Sequence, residues 1–311
     1  MGKITIMGFL FSQLKLNKGE RRTFRIHTLY MILDGIVLGV LALNQFVFIK
    51  SLNGTNYQLG FLFQFSALMF LFLIVINEFL KRIKNRKRLL RVVALSTRLP
   101  LITLLFFPDN LADMSNFAYY HYLFLFLFLV YFSGNIFINP NINFLLKVNY
   151  SHVNFGKLYS YSTSVNKIVM LIVTFAYGYL LDYNNFAYIY IIPVTAIIAT
   201  VSVYILSTIN YPEEKIQILK QSVFQSVKAS VNEMVLILRK NVPYRHFEIG
   251  FMFYGFSFML TMTVITIFFY EGLNLNYASV AFYRNISNIL VIVMLPFFGK
   301  LISNIDPRKF A

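Results

Sequence analysis

Eight long apolar segments dominate the sequence, and each has the roughly 20 residues that a helix needs to cross the hydrocarbon core of a bilayer. Because lipid offers no partner to backbone N–H and C=O groups, such segments cross it as α-helices. The sequence therefore predicts an all-α fold, a polytopic membrane helical bundle, in which the short DYNN turn makes a hairpin of the fifth and sixth helices. The approximate spans are 28–49, 58–80, 89–107, 117–138, 162–181, 185–207, 248–270 and 278–299.

The charged residues are few and unevenly placed. They make up 13% of the chain, against 58% for hydrophobic residues, whereas an ordinary soluble domain has about 25% charged residues. The net charge of +16 would suggest nucleic acid as the partner of a soluble protein. Here the basic residues occupy every second loop, which predicts that these loops and both termini are cytoplasmic. We therefore expect a multi-pass protein of the cytoplasmic (inner) membrane, with the lipid bilayer and not nucleic acid as its partner.

Groups that carry catalysis are scarce. The chain has no cysteine and four scattered histidines, and it shows no nucleophile–base pair, metal-ligand cluster or phosphate-binding loop. We expect no catalytic residues, no metal and no cofactor, and so no enzyme. A membrane-embedded transferase is the alternative, although such enzymes usually carry clusters of His, Asp or Glu at a membrane face.

An internal repeat relates the first and seventh spans. LNGTNY at 52–57 corresponds to LNLNY at 273–277 in the loops that follow them. Parallel repeats of this kind are common in transporters. They suggest a first transmembrane half at 1–207, a connecting loop at 208–247 and the start of a second half at 248–311. The pairs that share one constant shift are Arg25 with Arg245, Gly35 with Gly255, Phe48 with Phe268, and Tyr57 with Tyr277.

Two basic loops occupy corresponding places in the repeat, EFLKRIKNRK (78–87) after the second span and GKLISNIDPR (299–308) after the eighth. This placement resembles the major facilitator superfamily, whose hallmark loop G-x-x-x-D-[RK]-x-G-R-[RK] follows the second helix and recurs after the eighth. The match is incomplete, because Glu78 replaces the glycine and Arg82 the acidic residue of the first copy. The resemblance implies a role in conformational change for Glu78, Arg82, Arg86, Lys87, Gly299 and Arg308.

A second likeness lies in residues 139–182, where Gly156 and Lys157 stand at the turn that leads from the family's fourth helix into its fifth. The family has twelve helices, and the chain corresponds to the first eight. The resemblance thus implies a chain truncated after the eighth helix. The alternatives to a transporter that acts alone are therefore a non-transporting fragment and a chain whose missing helices come from a partner chain.

The connecting loop predicts a surface helix. Its apolar residues recur at helical spacing, which indicates an amphipathic helix on the inner membrane surface. These residues are Ile216, Leu219, Val223, Val227, Met234 and Leu238.

Ionisable side chains within predicted spans are costly and are therefore candidates for function. Asp34, in the first span, is either a proton or cation site or the structural partner of Arg98, which lies at similar depth in the third. Arg284, in the eighth span, suits a substrate carboxylate or phosphate. The alternatives for Arg284 are snorkelling to the interface and a contact with Glu271.

Uncharged polar residues complete the candidate site. Each either binds substrate or hydrogen-bonds a neighbouring helix. The resemblance places several of them on cavity-lining helices and implies a secondary active transporter that moves a small-molecule substrate by alternating access, with proton coupling through Asp34 as an open question. The residues are Asn44, Gln45, Tyr131, Asn135, Tyr254 and Asn288.

Overall fold

The computed structural model describes residues 16–110, 119–211, 222–286 and 288–290, which form helices and no strands. A 3-10 helix (Leu99–Phe106) continues α5, a π-helical turn (Phe268–Gly272) continues α10, and we call the helical residues 277–286 and 288–290 α11. The predicted all-α fold is confirmed. The α-helices are α1 (Lys18–Leu41), α2 (Asn44–Lys50), α3 (Asn56–Leu71), α4 (Leu73–Leu80), α5 (Arg86–Arg98), α6 (Tyr119–Asn149), α7 (His152–Tyr183), α8 (Tyr188–Leu206), α9 (Val223–Lys240) and α10 (Val242–Ile267).

Six helical stretches of the described chain are long and apolar enough to cross a membrane, or seven if the bent pair α3–α4 counts as one. They agree with the first to seventh predicted spans. The second span is not straight, because it bends by 46° at Phe72 between α3 and α4. The third changes from an α-helix to a 3-10 helix at Leu99, where Pro100 removes a backbone donor. The eighth predicted span lies only partly within the described residues.

The start of α1 is fixed by a capping box. Asn17 Oδ1 accepts from the Glu20 amide at 2.7 Å, and Glu20 Oε2 accepts from the Asn17 amide at 3.1 Å. The other Glu20 oxygen accepts from the Ser151 amide at 3.0 Å, between α6 and α7. One carboxylate thus begins α1 and joins it to the neighbouring helical pair.

α1 and α7 approach each other closely because two glycines of α1 face α7. A Cβ atom at Gly35 would lie 2.7 Å from the Asn166 carbonyl oxygen, and one at Gly39 would lie 2.7 Å from Val173 Cβ. Thr174 also donates to the Gly39 carbonyl at 3.1 Å. Small residues allow this approach of helix backbones in membranes, so the two helices pack as one unit.

This contact predicts that Gly39→Val strongly lowers stability, since the new side chain must displace Val173 or the α7 backbone. Overpacking of this kind costs about 1–3 kcal/mol or more. Gly255→Val is the matched control, because no other part of the described chain lies within 4 Å of a Cβ built at Gly255, apart from its chain neighbours and the backbone of its own helix. Thermal unfolding of the detergent-solubilised proteins should show a lower Tm for Gly39→Val than for Gly255→Val, and equal values would contradict the close packing.

The buried apolar residues form two clusters with a polar layer between them. In α1, Tyr30 belongs to one cluster and Val37 to the other, and Asp34 falls between them. The same interruption occurs in four further helices, at Arg98 in α5, Asn135 in α6, Lys167 in α7 and Ser202 in α8. Side chains that are far apart in the sequence therefore meet at one depth, and a cavity lies at that depth.

Candidate functional site

A cavity of about 440 Å³ lies in the polar layer. α1, α5, α6, α7 and α8 each contribute to its wall, together with Gln45 of α2. Its volume is in the range of ligand-binding pockets. The polar side chains that line it are Tyr30, Asp34, Gln45, Arg98, Tyr131, Asn135, Asn139, Lys167 and Ser202.

The Asp34 carboxylate is held by uncharged donors. Asn166 Nδ2 donates to Oδ2 at 3.1 Å, and the Tyr30 hydroxyl donates to Oδ1 at 3.5 Å from the preceding turn of α1. Asn166 is itself fixed by donating to the Met31 carbonyl at 2.9 Å. No Asp34 oxygen lies within 4 Å of a nitrogen of Arg98 or Lys167. The predicted alternative of a direct Asp34–Arg98 pair is therefore wrong, because Arg98 is held by other residues.

Arg98 donates hydrogen bonds to α6. Its guanidinium donates to the Tyr131 carbonyl at 2.5 Å and to Asn135 Oδ1 at 2.6 Å, and it lies 3.9 Å from the centroid of the Tyr131 ring. The side chain is 4% exposed. Tyr131 and Asn135, which the sequence places one helical turn apart, thus both line the cavity and together hold a buried cation.

Lys167 is a cavity residue that the sequence reasoning missed. It lies in the middle of α7 and its side chain is partly buried at the cavity wall. The one hydrogen bond that its ammonium makes within the described chain is a long contact of 3.8 Å to Met170 Sδ. The rule that selected Asp34, a charge inside a predicted span, would also have selected Lys167, which falls within 162–181.

Arg284 lies outside the cavity wall and joins α11 to the first half. Its guanidinium donates to the Ala42 carbonyl and, at 3.4 Å, to both Gln45 Oε1 and Thr266 Oγ1. The predicted contact with Glu271 is not formed, since Glu271 accepts from Asn56 at 2.9 Å instead. Gln45 lines the cavity and accepts from Arg284, so it connects this arginine with the cavity. Neither a motif nor the residue spacing predicts this connection.

The remaining binding candidates do not reach the cavity. Asn44 is 2% exposed, and neither atom of its amide group has a partner in the described chain. Asn288 donates to the Arg284 carbonyl at 3.0 Å within its own helix. Tyr254 is 67% exposed on α10, next to Phe251 and Phe258. A substrate role for these three residues stays a prediction.

The first basic loop holds α9 and α6. Arg82 donates to Ser226 at 2.8 Å, while Glu78 pairs with Lys81 at 2.5 Å and accepts from Ser230 at 3.0 Å. These contacts place the helix Val223–Lys240, which lies within the predicted connecting loop 208–247, against α4. Ile216 and Leu219, the first two apolar residues of the predicted amphipathic helix, lie outside the described residues.

The two other basic candidates of the first basic loop, Arg86 and Lys87, contact α6 and the chain just after α8. Arg86 donates to Asn141 at 2.9 Å, and Lys87 donates to Asn210 at 3.0 Å. Gly299 and Arg308, the candidates in the second basic loop, lie outside the described residues.

At the opposite end of the bundle from this loop, the first half contacts the chain around α11. Asp182, near the end of α7, accepts from the Tyr277 amide at 2.7 Å and from the Ala278 amide at 2.9 Å. The Ser51 hydroxyl contacts the Tyr277 hydroxyl, and Lys50 donates to the Leu275 carbonyl at 2.9 Å. The start of α11 is therefore capped by a side chain of the first half.

Comparison with known families agrees with this architecture. The sequence model of the Major Facilitator Superfamily matches residues 9–311, so the chain belongs to this superfamily of membrane transporters. It is an integral multi-pass membrane protein, and its family implies a small-molecule substrate. No curated protein and no solved structure matches the chain.

Proposed function

We propose that the chain is a secondary transporter that moves a small solute by alternating access and couples this movement to protons through Asp34. The observation that carries the proposal is the Asp34 carboxylate, which lines the cavity and is held by Asn166 and Tyr30 without a close ion pair. A carboxylate in a membrane interior is costly when ionised, and taking up a proton removes that cost. Asp34 is thus suited to gain and lose a proton as its surroundings change.

The groups around Asp34 act on its charge in opposite directions. Arg98 from α5 and Lys167 from α7 favour the carboxylate, whereas burial favours the neutral acid, and the hydroxyls of Tyr30 and Tyr131 share the same cavity. Water that enters the cavity from one side of the membrane shifts this balance. Alternating hydration therefore provides a physical basis for taking a proton on one side and releasing it on the other.

The two ends of the bundle support an alternating-access mechanism. A second cavity of about 470 Å³ shares Asn135 and Asn139 with the first and extends along α6 past Asn143 to Lys147. These four residues recur every four positions, so they form one polar strip on α6. Since Asp182 joins the first half to α11 at the other end, we infer a state in which solute reaches the cavity from the Lys147 end, which the charge pattern predicts to be cytoplasmic.

Solute-driven proton movement in proteoliposomes tests this function. The purified full chain would be reconstituted with a trapped pH indicator and exposed to a panel of small solutes in the absence of a membrane potential. We expect at least one solute to change the internal pH, and protein-free liposomes serve as the control. Solute uptake that leaves the internal pH unchanged would remove proton coupling, and no uptake of any panel member would count against transport by this chain alone.

A further inference from the structure

We propose that the solute is a small monoanion whose charged group is bound by the ammonium of Lys167, a substrate class that rests on the proposed transport function. Lys167 lies at the centre of a membrane-spanning helix and faces the same cavity as Asp34. A charged amine at this depth requires a counter-charge or several oxygen acceptors. Its sulfur contact at 3.8 Å supplies neither.

The other cations near the cavity are already satisfied. Arg98 donates to a carbonyl and an amide oxygen and stacks on the Tyr131 ring. Arg284 donates to the Ala42 carbonyl, to Gln45 and to Thr266. Lys167 is therefore the cavity cation whose donors stay available to a solute. A compact ammonium with three rotatable donors can donate to carboxylates of varied geometry.

The net charge of the cavity favours an anion with one charge. Arg98 and Lys167 are two cations against the single carboxylate of Asp34, so the ionised site carries one excess positive charge. A monoanion at Lys167 neutralises that excess. It also repels the Asp34 carboxylate, so anion binding favours proton uptake by Asp34, and the anion and one proton would cross together with no net charge.

Ligand-dependent thermal stability of the full chain in detergent measures this binding directly. The probes are acetate, lactate and benzoate as monoanions, lactamide as a neutral analogue of lactate, and ethanolamine as a small cation. At about ten times the dissociation constant we expect at least one monoanion to raise the Tm by about 3 °C, while lactamide and ethanolamine have no effect. The gain should disappear in Lys167→Gln and persist in Lys167→Arg.

The variants also distinguish a binding role from a structural one. Because Lys167 has no close ion pair in the described chain, Lys167→Gln should leave the ligand-free Tm unchanged or raise it, whereas loss of a structural partner would lower it. Lys157→Gln is the matched control, because Lys157 is exposed near the start of the same helix and lies outside the cavity. Its response to the anions should equal that of the wild type.

Three results would overturn the monoanion site: no monoanion stabilises the wild type, Lys167→Gln keeps the full gain, or lactamide or ethanolamine stabilises more than every anion. This outcome is separable from a failure of the proposed function. Anion binding that needs Lys167 without solute-driven proton movement would contradict transport and leave the site intact. Proton movement that a neutral solute drives equally well in the wild type and in Lys167→Gln would contradict the monoanion site and leave the proposed transport function intact.

Discussion

Asp34→Asn is expected to abolish accumulation of solute against its concentration gradient. When one proton moves with each solute molecule, a pH difference of one unit supports about tenfold accumulation, because one pH unit and a tenfold concentration ratio represent the same free energy. Asparagine keeps the size of the side chain and an oxygen that accepts from Asn166, but it cannot bind a proton. The accumulation ratio should fall from about ten to about one, measured as the steady-state internal solute concentration in proteoliposomes under an imposed pH gradient.

The control for this experiment is Asp109→Asn, which neutralises an exposed carboxylate outside the cavity and should accumulate solute like the wild type. Exchange of labelled for unlabelled solute without a pH gradient should continue in Asp34→Asn, since this process needs no net proton movement. Accumulation by Asp34→Asn at the wild-type level would exclude Asp34 as the coupling residue.

Asp182→Ala is expected to loosen the end of the bundle at which α7 meets α11. The carboxylate caps two backbone amides at the start of α11, and loss of a helix cap costs about 0.5–2 kcal/mol. If the cap is present in one state of the transport cycle only, this energy shifts the population of the other state by about 2- to 30-fold. Because the chain has no cysteine, Gln45→Cys provides a single reporter at the cavity, and its alkylation from the Asp182 side should become faster by the same factor.

Two comparisons sharpen this measurement. Asp182→Asn retains one oxygen acceptor and should give a smaller increase than Asp182→Ala. Asp109→Ala removes a different carboxylate and should leave the alkylation rate at that of Gln45→Cys alone. Equal rates in all four proteins would show that the cap does not hold this end closed.

The transmembrane bundle could be predicted from the sequence because its main determinant, a continuous apolar segment, is local. The seven described spans and the family follow from segment length, charge alternation and the position of EFLKRIKNRK. The bend at Phe72 could not be predicted, since no proline or glycine marks it in the sequence.

The cavity could be predicted only in part. Asp34 was identified because a charge in an apolar helix is conspicuous, but its partner Asn166 was not, because asparagine in a membrane helix has many uses. The partners of Arg98 and Arg284 include backbone carbonyls, which carry no sequence signal. The sequence predicts Tyr254 as a binding candidate, yet it is exposed, because α10 packs far less of its surface than α1 does.

The close contact between α1 and α7 has a consequence for how the proposed proton and anion sites are positioned relative to each other. Gly35 packs on the backbone of Asn166, so the helix that carries Asp34 and the helix that carries Lys167 are in close contact at the depth of both side chains. We expect the two helices to move together, which would keep the separation between the proposed proton and anion sites constant through the cycle. For the proposed coupling, the charge of the solute would then act on Asp34 over the same distance in every state.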